Sequence, residues 1–146
     1  LFQAALASIG VHLAIQEMPW VTLLAYNRNV RQAGDMGMVQ VGAGMPDPDR
    51  ILTQTFASAS IGTSYNWSYY SNVRLDKMLQ QARSTLDAKL RTQIYHQVQQ
   101  MIVYDVPAIF MMDPKAVYAR RAWVRGYQST PAIAYIVPFY QMSKTQ

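Results

Sequence analysis

The sequence predicts an α/β fold, and three observations carry that prediction. Several segments repeat apolar residues at spacings of three and four, the mark of a helix with one buried face. Short segments between them alternate apolar and polar residues, the mark of a half-buried strand. The two kinds of segment succeed one another from the first residue onward.

Taken in order, Phe2, Ala5, Leu6 and Ile9 fall on one helical face, and Gly10 suits the stop. Val11, Leu13 and Ile15 alternate with His12, Ala14 and Gln16, which predicts a strand. Pro19 suits the start of a second helix, with Trp20, Leu23, Leu24 and Asn27 on one face and an end around Gln32-Ala33-Gly34. Met36 to Val41 reads as a second strand, so the three segments form a β-α-β unit with a right-handed crossover. The run Gly42-Ala43-Gly44-Met45-Pro46-Asp47-Pro48 predicts a turn, and Asp49 to Phe56 a short helix.

Residues 57–72 are the least periodic stretch, rich in Ser, Tyr and Asn around Trp67. A polar loop of this kind, carrying aromatic rings, is either ligand surface or a packed crossing. Leu75, Met78, Leu79 and Ala82 form the stripe of the next helix. Asp87 caps another, striped by Leu90, Ile94, Val98, Met101 and Ile102. That helix ends before Pro107, whose ring pushes residue 106 toward extended geometry. Ala108 to Met112 predicts a strand buried on both faces, with further strands at Val117 to Ala119 and Ile133 to Val137.

Composition narrows the function. The chain is 51% hydrophobic and 14% charged, against about 25% charged in an ordinary soluble domain. Such a chain buries much of itself or has an apolar face for a partner. Its opening, Leu1-Phe2-Gln3-Ala4-Ala5-Leu6, is already in helical rhythm, with no initiator Met and no signal-peptide pattern. A fragment of a longer protein is therefore expected. There is no cysteine, hence no disulfide or thiolate chemistry.

Reactive constellations are sparse. His12 and His96 are the two histidines, far apart and without a metal-ligand spacing, so no metal or cofactor is expected. Asp47 and Asp49 straddle a proline and lack the rest of a calcium loop; a turn and helix cap is the reading. Gly42-Ala43-Gly44 begins like a dinucleotide fingerprint but lacks the third glycine and the following acid. The net charge of +5 is dispersed apart from Arg120, Arg121 and Arg125, interleaved with Trp123 and Tyr127, so no nucleic-acid partner is expected.

Together the motifs resemble a known family. The run Leu75-Asp76-Lys77-Met78-Leu79-Gln80-Gln81-Ala82-Arg83, then Asp87, Arg91, Tyr95, Val98-Gln99-Gln100-Met101-Ile102 and Asp105-Val106-Pro107-Ala108-Ile109, is similar to the late part of the family 5 extracellular solute-binding proteins. These are the oligopeptide-, dipeptide- and nickel-binding proteins of ABC importers. Leu6-Ala7-Ser8-Ile9-Gly10-Val11, Gly34-Asp35-Met36 with Pro46-Asp47-Pro48-Asp49, and Trp123-Val124-Arg125-Gly126-Tyr127 extend the resemblance in the family's order.

The resemblance implies that residues 1–146 are a C-terminal lobe portion of a two-lobed, periplasmic-binding-protein-like (type II) fold, with the N-terminal lobe and signal peptide lying outside it. It implies capture of a peptide or other small solute and delivery to an ABC permease. The site would be periplasmic or extracellular, with a lipid anchor on the full-length protein as one option. No catalysis is implied. A ligand-presenting accessory of a membrane sensor is the alternative, and an enzyme the remotest one. The candidate ligand residues are Trp20, Val41, Gly42, Ala43, Gly44, Asn66 and Trp67. Peptide binders of the family place an aspartate for the ligand's α-amino group where Gly44 stands. A ligand without that amine anchor, held by aromatic and backbone groups, is therefore expected. Each site residue also has a plain structural reading: core for Trp20, loop crossing for Asn66 and Trp67, turn for the glycines.

Overall fold

The computed structural model describes residues 1–42, 45–63, 65–113, 115, 117–128 and 137–145. Helices dominate: α1 (Phe2–Ala7), α2 (Trp20–Arg28), α3 (Pro48–Phe56), α4 (Val73–Ser84) and α5 (Ala88–Asp105). Short 3-10 turns lie at Ser58–Ser60 and Phe139–Gln141. Two strands of two residues, β1 (Val124–Arg125) and β2 (Ser143–Lys144), pair antiparallel, with Val124 opposite Lys144.

The helices begin where capping chemistry puts them. The Asp47 carboxylate accepts from the Asp49 amide at the head of α3, with Pro48 just inside, where its missing N–H costs nothing. Asn72 caps α4 by accepting from the Arg74 and Leu75 amides, and Asp87 caps α5 by accepting from Leu90. Gly10 follows α1 at φ 82, a left-handed turn that suits glycine. Its neighbour Val11 returns an amide bond to the Leu6 carbonyl.

The core lies among α3, α4 and α5. Leu75, Leu79 and Ala82 of α4 meet Ile94, Tyr95, Val98 and Ile102 of α5, while Leu52 and Phe56 close the seam from α3. Two ion pairs clamp the same three helices. Arg91 of α5 donates to both carboxylate oxygens of Asp47 at 3.0 and 2.9 Å, and its guanidinium lies over the Tyr95 ring. Arg83 of α4 reaches Asp49 at 3.1 Å. Hydrogen bonding from Arg91, then from the Asp49 amide, holds the Asp47 carboxyl below its ordinary range.

The expected strands at 11–15, 36–41, 108–112 and 117–119 are not paired among the described residues, so the β-α-β unit is not formed within them. Residues 133–136 lie outside the described residues. Alternation marks which side chains could face a core, but a strand exists only where a neighbouring strand takes its amides and carbonyls. Ala108 to Met112 is not buried on both faces either: Ile109, Phe110, Met111 and Met112 are exposed. Only Ala108 and the Phe110 ring, 6.3 Å from Phe56, rest on the core. The second helix ends at Arg28, short of the expected end around Gln32-Ala33-Gly34.

Val106 corrects another expectation. It stands at φ 50, ψ 48, left-handed rather than extended, with its amide bonded to the Ile102 carbonyl. Closing the end of α5 wins over the extended preference of a residue before proline.

Leu75→Ala should cost about 2–5 kcal/mol of unfolding free energy, because Leu75 is fully buried where three helices meet; chemical denaturation of the intact protein measures this. Since its folded pKa is depressed, Asp47 stabilises the fold above its ordinary pKa of 3.8 and loses that contribution as pH falls through the lower folded value. Asp47→Asn keeps a capping side chain but removes the charge. Its melting temperature should therefore fall less between pH 6 and pH 3 (both roughly bracketing the titration) than that of the parent.

Candidate ligand-binding surface

The loop from 57 to 72 is organised by one buried amide. Asn66 donates to the carbonyls of Ala57 at 3.0 Å and Tyr70 at 2.8 Å. Its Oδ1 accepts from the Tyr70 amide at 3.0 Å. At 1% exposure, its hydrogen-bonding capacity is spent within the loop. The Ser58 amide donates to Asp76 of α4, and Ser60 Oγ to the Thr53 carbonyl of α3, which fixes the loop's start on the core.

Its far end is held at α5. The Tyr70 hydroxyl donates to Asp105, and Asn72 Nδ2 donates to the same carboxylate at 3.0 Å. Burial first, then the Asp105 carboxylate, pushes the Tyr70 phenol up to about 12. It therefore stays a neutral donor across the physiological range.

With its ends held, the loop presents aromatic rings to α2. Tyr69, at φ 53, donates its hydroxyl to the Asn27 carbonyl at 2.7 Å. Asn27 is itself buried and bonded back to Leu23. Trp20, at the first position of α2, lies with its ring centroid 6.1 Å from Tyr65 and 6.1 Å from Trp67; Tyr65 and Trp67 are 6.2 Å apart. The rings are tilted against one another, an arrangement that favours aromatic contact. Gly37 passes beside Trp67: a Cβ there would lie 3.2 Å from the indole, tighter than ordinary contact. Trp20 remains 46% exposed, so the cluster forms an open aromatic shelf rather than sealed core.

The structure thus brings Trp20 and Trp67 together and adds Tyr65, which the sequence reading missed. Its position next to Asn66 in the same aromatic loop was the available signal. Asn66 builds the shelf from beneath. Val41 is half-buried and Gly42 exposed. Gly42 is not left-handed, and a Cβ on it would meet nothing within 4 Å, so neither a turn nor crowding demands glycine there. Ala43 and Gly44 lie outside the described residues. Asp47 and Asp49 are committed to the cap and ion pairs described above.

No family model matches the chain. A probable di/tripeptide-binding protein of Pseudomonas aeruginosa is 30% identical over 138 residues, covering 90% of this chain and 24% of that protein. An ABC transporter-associated periplasmic binding protein of Helicobacter pylori, solved with the peptide STSA, superposes with a TM-score of 0.84 at 25% identity, over 99% of this chain and 28% of that one. A dipeptide-binding protein of a Pseudoalteromonas species, solved with Met-Leu, does so with a TM-score of 0.74 at 25% identity, over 98% of this chain and 27% of that one. The chain spans about a quarter of the length of the proteins it matches. The α/β class holds by this likeness, although the expected strands find no partners within the described residues. Along nearly its whole length, the chain is related to the peptide-binding proteins of solute-binding family 5 and corresponds to a fragment of their C-terminal portion, with their type II fold.

Proposed function

We propose that this chain is a portion of the C-terminal lobe of the ligand-capturing component of an ABC importer. The intact protein would take a peptide-like solute outside the cytoplasmic membrane and hand it to a permease, without catalysing a reaction. One observation carries the reading: the chain follows, over 99% of its length, the course of a protein solved with a bound peptide. The N-terminal lobe would supply the facing wall of the cleft. The periplasm or cell exterior, with or without a lipid anchor, is the compartment this role requires.

The aromatic shelf supports the same reading. Trp20, Tyr65 and Trp67 would offer broad apolar faces to a ligand's side chains, and Val41 and Gly42 would offer backbone groups. Gly44 stands where the resemblance to the family's peptide binders implies an acid. Burying an ammonium without a counter-charge is costly, so binding would not depend on a free α-amino group. One lobe alone forfeits the enclosure on which affinity rests, so this portion by itself would bind weakly.

The test is a thermal-shift series on the intact protein with peptides bearing free or acetylated N-termini. A peptide at 100 times its dissociation constant adds about 2.7 kcal/mol of stability. Free and acetylated forms should bind within about threefold of each other, equivalent to less than ~1 kcal/mol. Strict dependence on the free amine would defeat the Gly44 argument, and silence toward every peptide would defeat the peptide reading. Trp20→Ala should weaken binding about tenfold or more, as removal of an aromatic anchor does, with little change in ligand-free stability. Asn66→Ala should cost about 1–3 kcal/mol of stability for the buried groups it orphans, and should weaken binding as well, because the loop that carries Tyr65 and Trp67 is tied by that amide.

A further inference from the structure

α2 carries Trp20 at its first position and Asn27 in its last turn. Asn27 is the buried residue of this helix, while Trp20 and Val21 at the other end are exposed within this chain. Pro19 stands at the N-cap and supplies no side-chain hydrogen bond. What this chain does to hold the helix it does at the C-terminal end, about two turns from the tryptophan.

The loop from 57 to 72 meets that end. The Tyr69 hydroxyl donates at 2.7 Å to the carbonyl of Asn27, in the last turn, where the helix has no amide of its own to offer. The Asn27 side chain turns back into the helix, donating to the Leu23 carbonyl at 2.9 Å. A Cβ on Gly62 would lie 3.2 Å from the Arg28 carbonyl oxygen, so the loop backbone runs against the helix end as well. Gly37 fills the gap between the two, where a Cβ would lie 3.2 Å from the Trp67 indole and 3.5 Å from Asn27 Oδ1.

The backbone at Tyr69 is left-handed, with φ 53, a region that bulky side chains rarely occupy. Asn66 holds it there from both sides. Tyr70 donates its amide to Asn66 Oδ1 and accepts from Asn66 Nδ2 on its carbonyl, and the Ser68 hydroxyl donates to the same Oδ1. Strain of this kind persists only where its surroundings over-determine it. Here it aims a phenol at the end of a helix.

Resting on the reading of the aromatic shelf as ligand surface, we propose that Tyr69 is its positioning residue: the phenol latches the end of α2 to the loop and thereby sets Trp20 against Tyr65 and Trp67. Trp20 belongs to the helix and the other two rings to the loop, so their spacing of 6.1 Å depends on how helix and loop are registered. A helix transmits placement along its axis, so a bond at its far end fixes Trp20 without touching a ligand.

The experiment compares Tyr69→Phe with the parent in the intact protein, which keeps whatever else packs on α2. Two indoles 6.1 Å apart and tilted by 44° couple their far-ultraviolet transitions and give a paired circular-dichroism band. Trp20→Phe identifies the part of the spectrum that belongs to the shelf. Tyr69→Phe keeps every tryptophan and loses one hydroxyl. It should diminish that band and weaken peptide binding about three- to tenfold, the change that one ordinary hydrogen bond supports. Tyr95→Phe removes a hydroxyl that accepts from Arg91 at 3.2 Å in the helical core. It should lower the melting temperature and leave band and affinity unchanged.

A band retained in Tyr69→Phe would overturn the proposal and assign the placing of α2 to the rest of the protein. So would a spectrum that Trp20→Phe leaves unaltered, equal losses in Tyr69→Phe and Tyr95→Phe, or unchanged affinity in a Tyr69→Phe protein that has lost the band. Loss of the band in a protein that binds no peptide would uphold the positioning role of Tyr69 and defeat the peptide reading alone.

Discussion

The apolar seam between α4 and α5 is the constraint on which the remaining structure depends. Leu75, Ala82 and Val98 are wholly buried there, and Leu79, Ile94 and Ile102 nearly so. Of the described helices, α1 to α4 run to 12 residues at most and would be marginal alone in water. Burial of one face is what holds them. α3 joins the pair through Leu52 and Phe56, and through two arginine–carboxylate clamps whose carboxylates sit at its first turn. Those clamps explain why Asp47 and Asp49 serve as architecture: each faces an arginine from a different helix.

The aromatic shelf inherits its position from that seam by a short chain of contacts. Asp76 holds Ser58, Asp105 holds Tyr70 and Asn72, and Asn66 ties the two ends of the loop together. None of these bonds is large by itself, at about 0.5–1.5 kcal/mol net. Their value lies in geometry. They leave the loop little freedom, so Tyr65 and Trp67 meet Trp20 without the ligand having to order them. A preorganised face spends less of its contact energy on immobilising side chains.

What could be read from the sequence follows from how local each signal is. α4 and α5 were legible because a stripe every three or four residues and a capping Asp lie within one segment. The strand segments were not, because pairing belongs to a neighbour that alternation does not name; Val11, Ile15, Met36 and Met38 are exposed within this chain. Val106 was misread for a related reason: the local rule for a residue before proline met the stronger demand of closing an 18-residue helix. At the shelf, Trp20 was identified through family resemblance, and Trp67 through the polar, aromatic loop that carries it. The Asn66 amide network was beyond reach, because its partners at Ala57 and Tyr70 come together only once the loop has folded.

Charge completes the division of labour. Arg83 and Arg91 are consumed in holding helices, each against its own carboxylate, and the region up to Asp113 is neutral in sum. Trp20, Tyr65 and Trp67 lie within that neutral region. Residues 114–146 carry five Lys and Arg with no Asp or Glu among them, a costly arrangement unless solvent or an anionic neighbour screens them. Arg121 and Lys144 lean toward one tryptophan from opposite strands, so their spacing is set by the ribbon rather than by side-chain drift.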